Sequence, residues 1–251
     1  MLAARFVSTM VAGAAGRLLT VPFYALAALR RGKPIHSRGT VFDATVRRHG
    51  SGQRWGAAWL DEPGEDHGLA RISKSAGLPE PLPDVWGLAL TFDDDTGVRH
   101  DLLVASTGLA PGLRHVLIPR RDPRQCTYTT LLPYNSPQGP ALIAAVPFAP
   151  VDPAVAAFRL LAAGLASAWH PFGSLQLTER PGASGDEPVR FDPVLFPLPE
   201  MWWAEPLARI REPPYVAARS HPLRDATPGG KRNCLGLGRG PHRLSSRTFG
   251  R

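Results

Sequence analysis

Trp86-Gly87-Leu88-Ala89-Leu90-Thr91-Phe92, Asp93-Asp94-Asp95-Thr96-Gly97, then Val98-Arg99-His100-Asp101-Leu102-Leu103-Val104-Ala105-Ser106 is the stretch that decides the fold. The two flanking runs read as strands. The segment between them is rich in residues that tolerate left-handed backbone, so the whole predicts a β-hairpin. Working outward, Arg38 to Val46 is strand-like, with Thr40, Phe42, Ala44 and Val46 on one face and Val41, Asp43 and Thr45 on the other. Arg54 to Leu60 reads as a second short strand, and Asp61-Glu62-Pro63-Gly64-Glu65-Asp66 as an acidic loop. Gly68 to Ser73 resumes the strand pattern, and Leu78 to Pro83 is a proline-rich connection. Cys126 to Leu132 and Ala141 to Phe148 are two further strands. Strands at this spacing, with little helix between them, predict an antiparallel barrel.

One long helix is expected over Asp152 to Ala168. Pro153 lies in its first turn, and Val155, Phe158, Leu161 and Leu165 form its buried stripe. A strand over Ser174 to Thr178 follows, then a short helix over Pro213 to Arg219. The fold class is therefore α+β, mainly β: an antiparallel barrel with one long and several short helices. Three regions are expected: an N-terminal helical arm over 1–32, the barrel domain with C-terminal helices over 33–220, and a basic disordered tail over 221–251.

Composition supports a folded domain: 43% of the 251 residues are hydrophobic and 20% charged. The 27 prolines and 25 glycines argue for many short elements joined by turns. The net charge of +8 is not evenly distributed. From His221 onward seven basic residues face one acid, Asp225, so the tail holds +6 and the first 220 residues only +2. That balance gives no sign of specific nucleic-acid binding by the folded domain. Cys126 and Cys234 form no CxxC or zinc spacing, which makes the cytoplasm the default compartment. Residues 1–30 are apolar but interrupted by Arg5, Arg17 and Pro22, so no run reaches the roughly 20 residues of a spanning helix. They read as an arm docked on the domain or resting on a membrane surface.

Five stretches then resemble, in chain order, the haem-dependent catalase-like superfamily, in particular its minimal, short-chain members. Lys33-Pro34-Ile35-His36-Ser37-Arg38-Gly39 is similar to the segment that carries the distal histidine into the first barrel strand. Ala70-Arg71-Ile72-Ser73 resembles the family's Arg-x-Ser strand, and the 86–106 hairpin resembles the one that follows it. Phe191-Asp192-Pro193 followed by Arg211-Glu212-Pro213-Pro214-Tyr215 resembles the C-terminal end, as does Thr127 to Tyr134 an intervening segment. The resemblance implies haem b between His36 and Tyr215. His36 would move protons between peroxide oxygens, steadied by Ser73, and Arg71 and Lys33 would meet the propionates. Tyr215 would bind the iron, with Arg211 favouring its phenolate. Independently of the family, a guanidinium four residues from a phenol favours the charged form. Arg124 and Tyr128 share that spacing.

The family's peroxide-positioning asparagine is absent. Val104-Ala105-Ser106-Thr107-Gly108 stands in its place, with Ser106 as a hydroxyl. The expected activity is therefore peroxidase-like, on a small hydroperoxide or organic substrate. One alternative is a haem-free binding protein on the same fold. Another is a metal-dependent phosphoester hydrolase built on Asp61, Glu62, Glu65, Asp66 and His67, although a solvated connection is the simpler reading of that loop. His49, His67, His100, His115 and His170 show no ligand spacing and read as surface residues. There is no Gly-x-Ser-x-Gly elbow. Oligomeric state is not encoded in any motif.

Overall fold

In the computed structural model, residues 39–75, 77–149, 152, 154–180 and 189–203 are described. They form β1 (Gly39–His49), β2 (Pro63–Lys74), β3 (Trp86–Asp93), β4 (Arg99–Ser106), β5 (Tyr128–Thr129), β6 (Tyr134–Ser136), β7 (Gly139–Phe148), β8 (Ala156–Ala163) and β9 (His170–Glu179). The order is β5-β4-β3-β2-β1-β9-β8-β7-β6, and an additional β5–β7 pairing closes eight of the strands into a barrel with β6 attached to β7. Every ladder is antiparallel. Closure removes the exposed edges that an open sheet would leave.

The interior follows from strand alternation. Phe42, Ala44 and Val46 of β1, Ala70 and Ile72 of β2, and Leu88, Leu90 and Phe92 of β3 face the core. Leu102, Val104, Tyr128, Ile143, Ala145, Phe158, Leu160, Leu175 and Leu177 continue it around the barrel. Small side chains at Ala44, Ala70 and Ala145 make room among the large ones, as a narrow barrel requires. The expected hairpin forms as read: Gly97 takes φ +79, and the Asp94 carboxylate accepts from Thr96 N, Thr96 Oγ1 and Val98 N.

The expected long helix over Asp152 to Ala168 is instead β8 and its turn. β8 pairs with β7 on one side and β9 on the other. The helix-start signal is an Asx turn: Asp152 accepts from Ala154 N at 2.8 Å and from Val155 N at 3.1 Å, and the chain then extends. Both faces of β8 are largely buried, with Ala157 at 4% and Ala163 at 0% exposure. The apolar–polar alternation that marks a half-exposed strand is therefore lost.

Two other expectations change. Arg54–Leu60 is not a strand: Gly56 takes φ +74 and a single helical turn, α1 (Ala58–Asp61), follows. The Asp61 carboxylate fixes this corner by accepting from Trp55 N and Gly56 N. Nor is 61–66 a solvated loop, because β2 begins at Pro63 and Asp66 is buried. The expected strand over Cys126–Leu132 shortens to Tyr128–Thr129.

The His49 end of the barrel is plugged. Trp59 stacks on Phe92 at 5.6 Å, packs on Phe172 at 5.3 Å, and donates Nε1 to Asp66, which Arg48 also holds at 2.9 Å. A strap over 191–203 seals the gap beyond short β5. Phe196 O accepts from Asp101 N, Asn135 and Trp202 exchange backbone bonds, and Trp203 lies against Tyr134 at 3.9 Å.

Candidate functional site

Of the residues singled out from sequence, Arg71 and Ser73 lie within the described residues. Lys33, His36, Arg211 and Tyr215 lie outside them, as do the arm over 1–32, the helix over 213–219 and the tail over 221–251. Alternation sends Ala70 and Ile72 into the core, so Arg71 and Ser73 stand on the barrel's outer face, about 7 Å apart along β2. Ser73 is buried and Arg71 half-buried.

The start of β1 lies directly on them. Gly39 pairs with Ser73 as the last step of the β1–β2 ladder. A Cβ at position 39 would stand 2.8 Å from Ile72 O, 2.8 Å from Ser73 Cβ and 2.9 Å from Arg71 Nε. Only glycine allows so close an approach. From Gly39 one outer-face row runs across seven strands: Ser73, Gly87, Ala105, Thr129, Ala144 and Leu161. Beside it Arg71 faces Ala89, which faces Leu103. Next to the guanidinium and the Ser73 hydroxyl, the wall therefore carries nothing larger than a methyl group at 87, 89 and 105.

Behind that row the connection between β4 and β5 is fastened by a buried arginine that the sequence reading missed. Arg114 is 1% exposed. It donates to Gly164 O at 2.8 Å and to Leu109 O and Ser167 O at 3.2 Å, and lies 4.7 Å above the Trp169 ring. Burial lowers its pKa from the ordinary guanidinium value. Its backbone carbonyl accepts from Thr129 Oγ1, which itself accepts from Thr107 Oγ1. No periodic signal marks this residue, since the loop that carries it has none.

The Ser106 hydroxyl cannot serve as a peroxide-positioning group. It points to the core side, donates to Ile118 O at 2.8 Å and accepts from Trp86 N at 3.0 Å. The outer-face residue there is Ala105. The Arg124–Tyr128 match is likewise structural. Tyr128 is fully buried beside Phe158 and donates to Pro123 O at 2.7 Å. Burial, then the neighbouring Cys126, raise its pKa far above the usual phenol value, so it does not offer a phenolate. Arg124 reaches outward to Glu179.

His100 is not a surface residue. It is 7% exposed, with Nδ1 2.6 Å from Pro197 O and Nε2 3.2 Å from Asp94 Oδ2. Strand alternation from Leu102 and Val104 is the signal that would have placed it inside. The acidic segment spends its oxygens locally. Asp61 holds the α1 corner, Asp66 holds Arg48 and Trp59, and Glu65 holds Arg47 at 2.8 Å and faces His67 at 3.1 Å. No group of histidine, cysteine and carboxylate side chains among the described residues has metal-binding geometry.

A search of solved structures matches a fungal catalase with a TM-score of 0.53, over 77% of this chain and 61% of the catalase chain. The fold is catalase-like. At 13% identity the likeness extends to the fold alone, and the catalase-like chain spans about three-fifths of that enzyme's length. No protein-family model matches the sequence, and no curated relative does. Among the described residues no helix is long and apolar enough to cross a membrane.

Proposed function

We propose that this catalase-like protein binds haem b and acts as a peroxidase on a small organic hydroperoxide. The observation that supports the reading is the Gly39–Ser73 register, which sets the residue three after His36 in the chain against the Arg71-x-Ser73 strand of a catalase-like barrel. The described residues fit one edge of such a group. Arg71 offers a cation suited to a carboxylate, and its outer-face neighbours at 87, 89 and 105 are glycine and alanine.

Haem, when bound, supplies the iron chemistry that splits the peroxide O–O bond. The chain supplies the rest. His36 takes the proton from one peroxide oxygen at its imidazole nitrogen and returns it to the other, a task matched to a side chain that titrates near neutrality. The Ser73 hydroxyl holds that ring in orientation. Arg71 and Lys33 would hold the propionates. Tyr215 would bind the iron, with Arg211 favouring its phenolate. Ala105, with Ser106 turned inward, offers no polar side chain at the place of the family's peroxide-positioning asparagine. That favours a hydroperoxide whose organic part fills the space.

The same absence supports a second reading, a haem-free binding protein for an apolar ligand on this barrel. A phosphoester hydrolase gains no support, because Asp61, Glu65 and Asp66 are engaged in bonds that hold the fold.

Absorption spectra decide between these readings. The full chain, expressed with haem supply, is compared with Tyr215→Phe. A Soret band that shifts or disappears in the variant is the expected result. A folded parent without any band would sink the haem reading and leave the binding protein. A band unchanged in Tyr215→Phe would remove that tyrosine as the ligand.

A further inference from the structure

From the Gly39 end of the barrel we infer a second property: this rim is a docking surface for an anionic phospholipid bilayer. Two loops meet there. The β2–β3 connection leaves at Ser75, whose N–H donates to Val85 O, and contains Leu78-Pro79-Glu80-Pro81-Leu82-Pro83. The β4–β5 connection reaches it at Arg120. Asp84 and Arg120 exchange backbone hydrogen bonds of 2.9 and 2.8 Å, and Trp86 Nε1 donates to Arg120 O at 2.9 Å.

What the two loops expose is amphipathic. Leu78 and Leu82 are 41% and 52% accessible, and neither takes part in a strand pairing. Exposed apolar side chains at a loop tip find no role in the barrel core. Beside them stand Arg120 and Arg121, both exposed and neither ion-paired with a described residue. Most other exposed rim charges are paired: Lys74 faces Glu80 at 3.4 Å and Arg124 faces Glu179 at 3.3 Å, while the Asp122 carboxylate accepts a backbone N–H from Arg124 and keeps its charge. Two arginines against that one carboxylate leave this edge a net exposed cation next to two leucines.

Charge distribution along the chain points to the same occupant. Residues 1–38, which lead into the barrel at this rim through Gly39, contain six basic residues and no acid. The tail from His221 adds +6, so against the total of +8 the remaining residues 39–220 hold −4. A surface of apolar tips among cations, joined to an apolar and wholly basic segment, is complementary to anionic lipid headgroups over hydrocarbon. A second copy of an acidic barrel would match the arginines, but it would offer nothing to the leading segment's apolar residues.

The test is co-sedimentation of the full chain with vesicles of phosphatidylcholine alone and of phosphatidylcholine mixed with phosphatidylserine. Binding to the mixed vesicles that falls with added salt is expected. Arg120→Gln/Arg121→Gln should weaken it by roughly fivefold per arginine. Leu78→Ser/Leu82→Ser should weaken it by about tenfold. Both pairs are exposed, so circular dichroism should show an unchanged fold. Equal binding by wild type and both variants would place the contact in the termini and overturn the inference, as would no binding by the wild type. Vesicle-free self-association in sedimentation velocity, abolished by the leucine variant, would overturn it in favour of a second copy.

Discussion

Replacing Gly39 with alanine probes the contact that brings the start of β1 onto Arg71 and Ser73. The new methyl would sit 2.8 Å from a backbone oxygen, Ile72 O, and 2.8 Å from Ser73 Cβ, where non-bonded heavy atoms settle near 3.5 to 4.0 Å. The first residue of β1 must then lift by roughly 0.7 to 1 Å, or Ser73 must give way. Because this pair ends its ladder, some strain relaxes by fraying, so the cost falls within the lower part of the overpacking range, about 1–2 kcal/mol. For a chain of this size that lowers the melting temperature by about 2–8 °C.

Two variants calibrate the result. Gly52→Ala meets nothing within 4 Å and should leave stability unchanged or slightly raised. Gly68→Ala lies mid-ladder between Ala44 and Phe92 and points its methyl at Thr91 O, where no fraying can relieve it. It should cost about 3 kcal/mol or more. Thermal unfolding followed by circular dichroism gives the order, and the Soret band of each variant reports on the outer face. The reasoning is refuted if Gly39→Ala melts with Gly52→Ala and keeps the parent's absorption spectrum.

Other perturbations separate structural from functional residues. Tyr128→Phe loses one buried hydrogen bond to Pro123 O and should cost about 1 kcal/mol, with haem absorption untouched, read by urea titration beside the spectrum. Asp66→Asn leaves Arg48 without its carboxylate and should cost roughly 3 kcal/mol, seen as a lowered urea midpoint. Asp94 gives a pH signature. Bonds from the Thr96 hydroxyl first, then Val98 N–H and His100, hold its carboxyl well below the ordinary range. A depressed carboxylate stabilises the fold fully above its unfolded pKa of about 4, and that contribution is lost as pH falls towards the folded value. Wild type should therefore lose stability more steeply than Asp94→Asn below about pH 4; parallel curves of urea midpoint against pH would contradict it.

The barrel was legible where strands bury one face. The hairpin from Trp86 to Ser106 and the strand from Arg38 to Val46 show alternation because their outer sides meet water or small polar groups. β8 hid for the opposite reason. Ala157 and Ala163 are as buried as Phe158 and Leu160, so apart from Arg159 the segment reads as apolar on both faces, and Val155, Phe158, Leu161 and Leu165 fall at helical spacing by coincidence. Alanine favours helix in isolation. Here it serves a strand whose inner neighbours are already bulky and whose outer neighbours approach closely, so tertiary packing overrides propensity. Asp152 added to the misreading, since an Asx turn and a helix cap use the same side-chain bond.

The site was legible in a different way, through a short pattern whose meaning depends on register. Arg71-Ile72-Ser73 says only that an arginine and a serine share one face of a strand. Gly39 opposite Ser73 is what brings the chain three residues after His36 to that face, and glycine at 39 makes sense only once Ile72 O is seen to stand 2.8 Å from where its Cβ would be. Ser106 illustrates the converse. Its neighbour Ala105 faces outward while its own hydroxyl is committed to Trp86 and Ile118, a distinction of one residue in parity that reverses its chemistry. A hydroxyl counted from sequence as available is thus removed by register, while Gly39 makes a close approach that a Cβ would block. That asymmetry is why Gly39→Ala tests the site reading more sharply than any substitution at Ser106, which would disturb the β3–β4 corner before it touched the outer face.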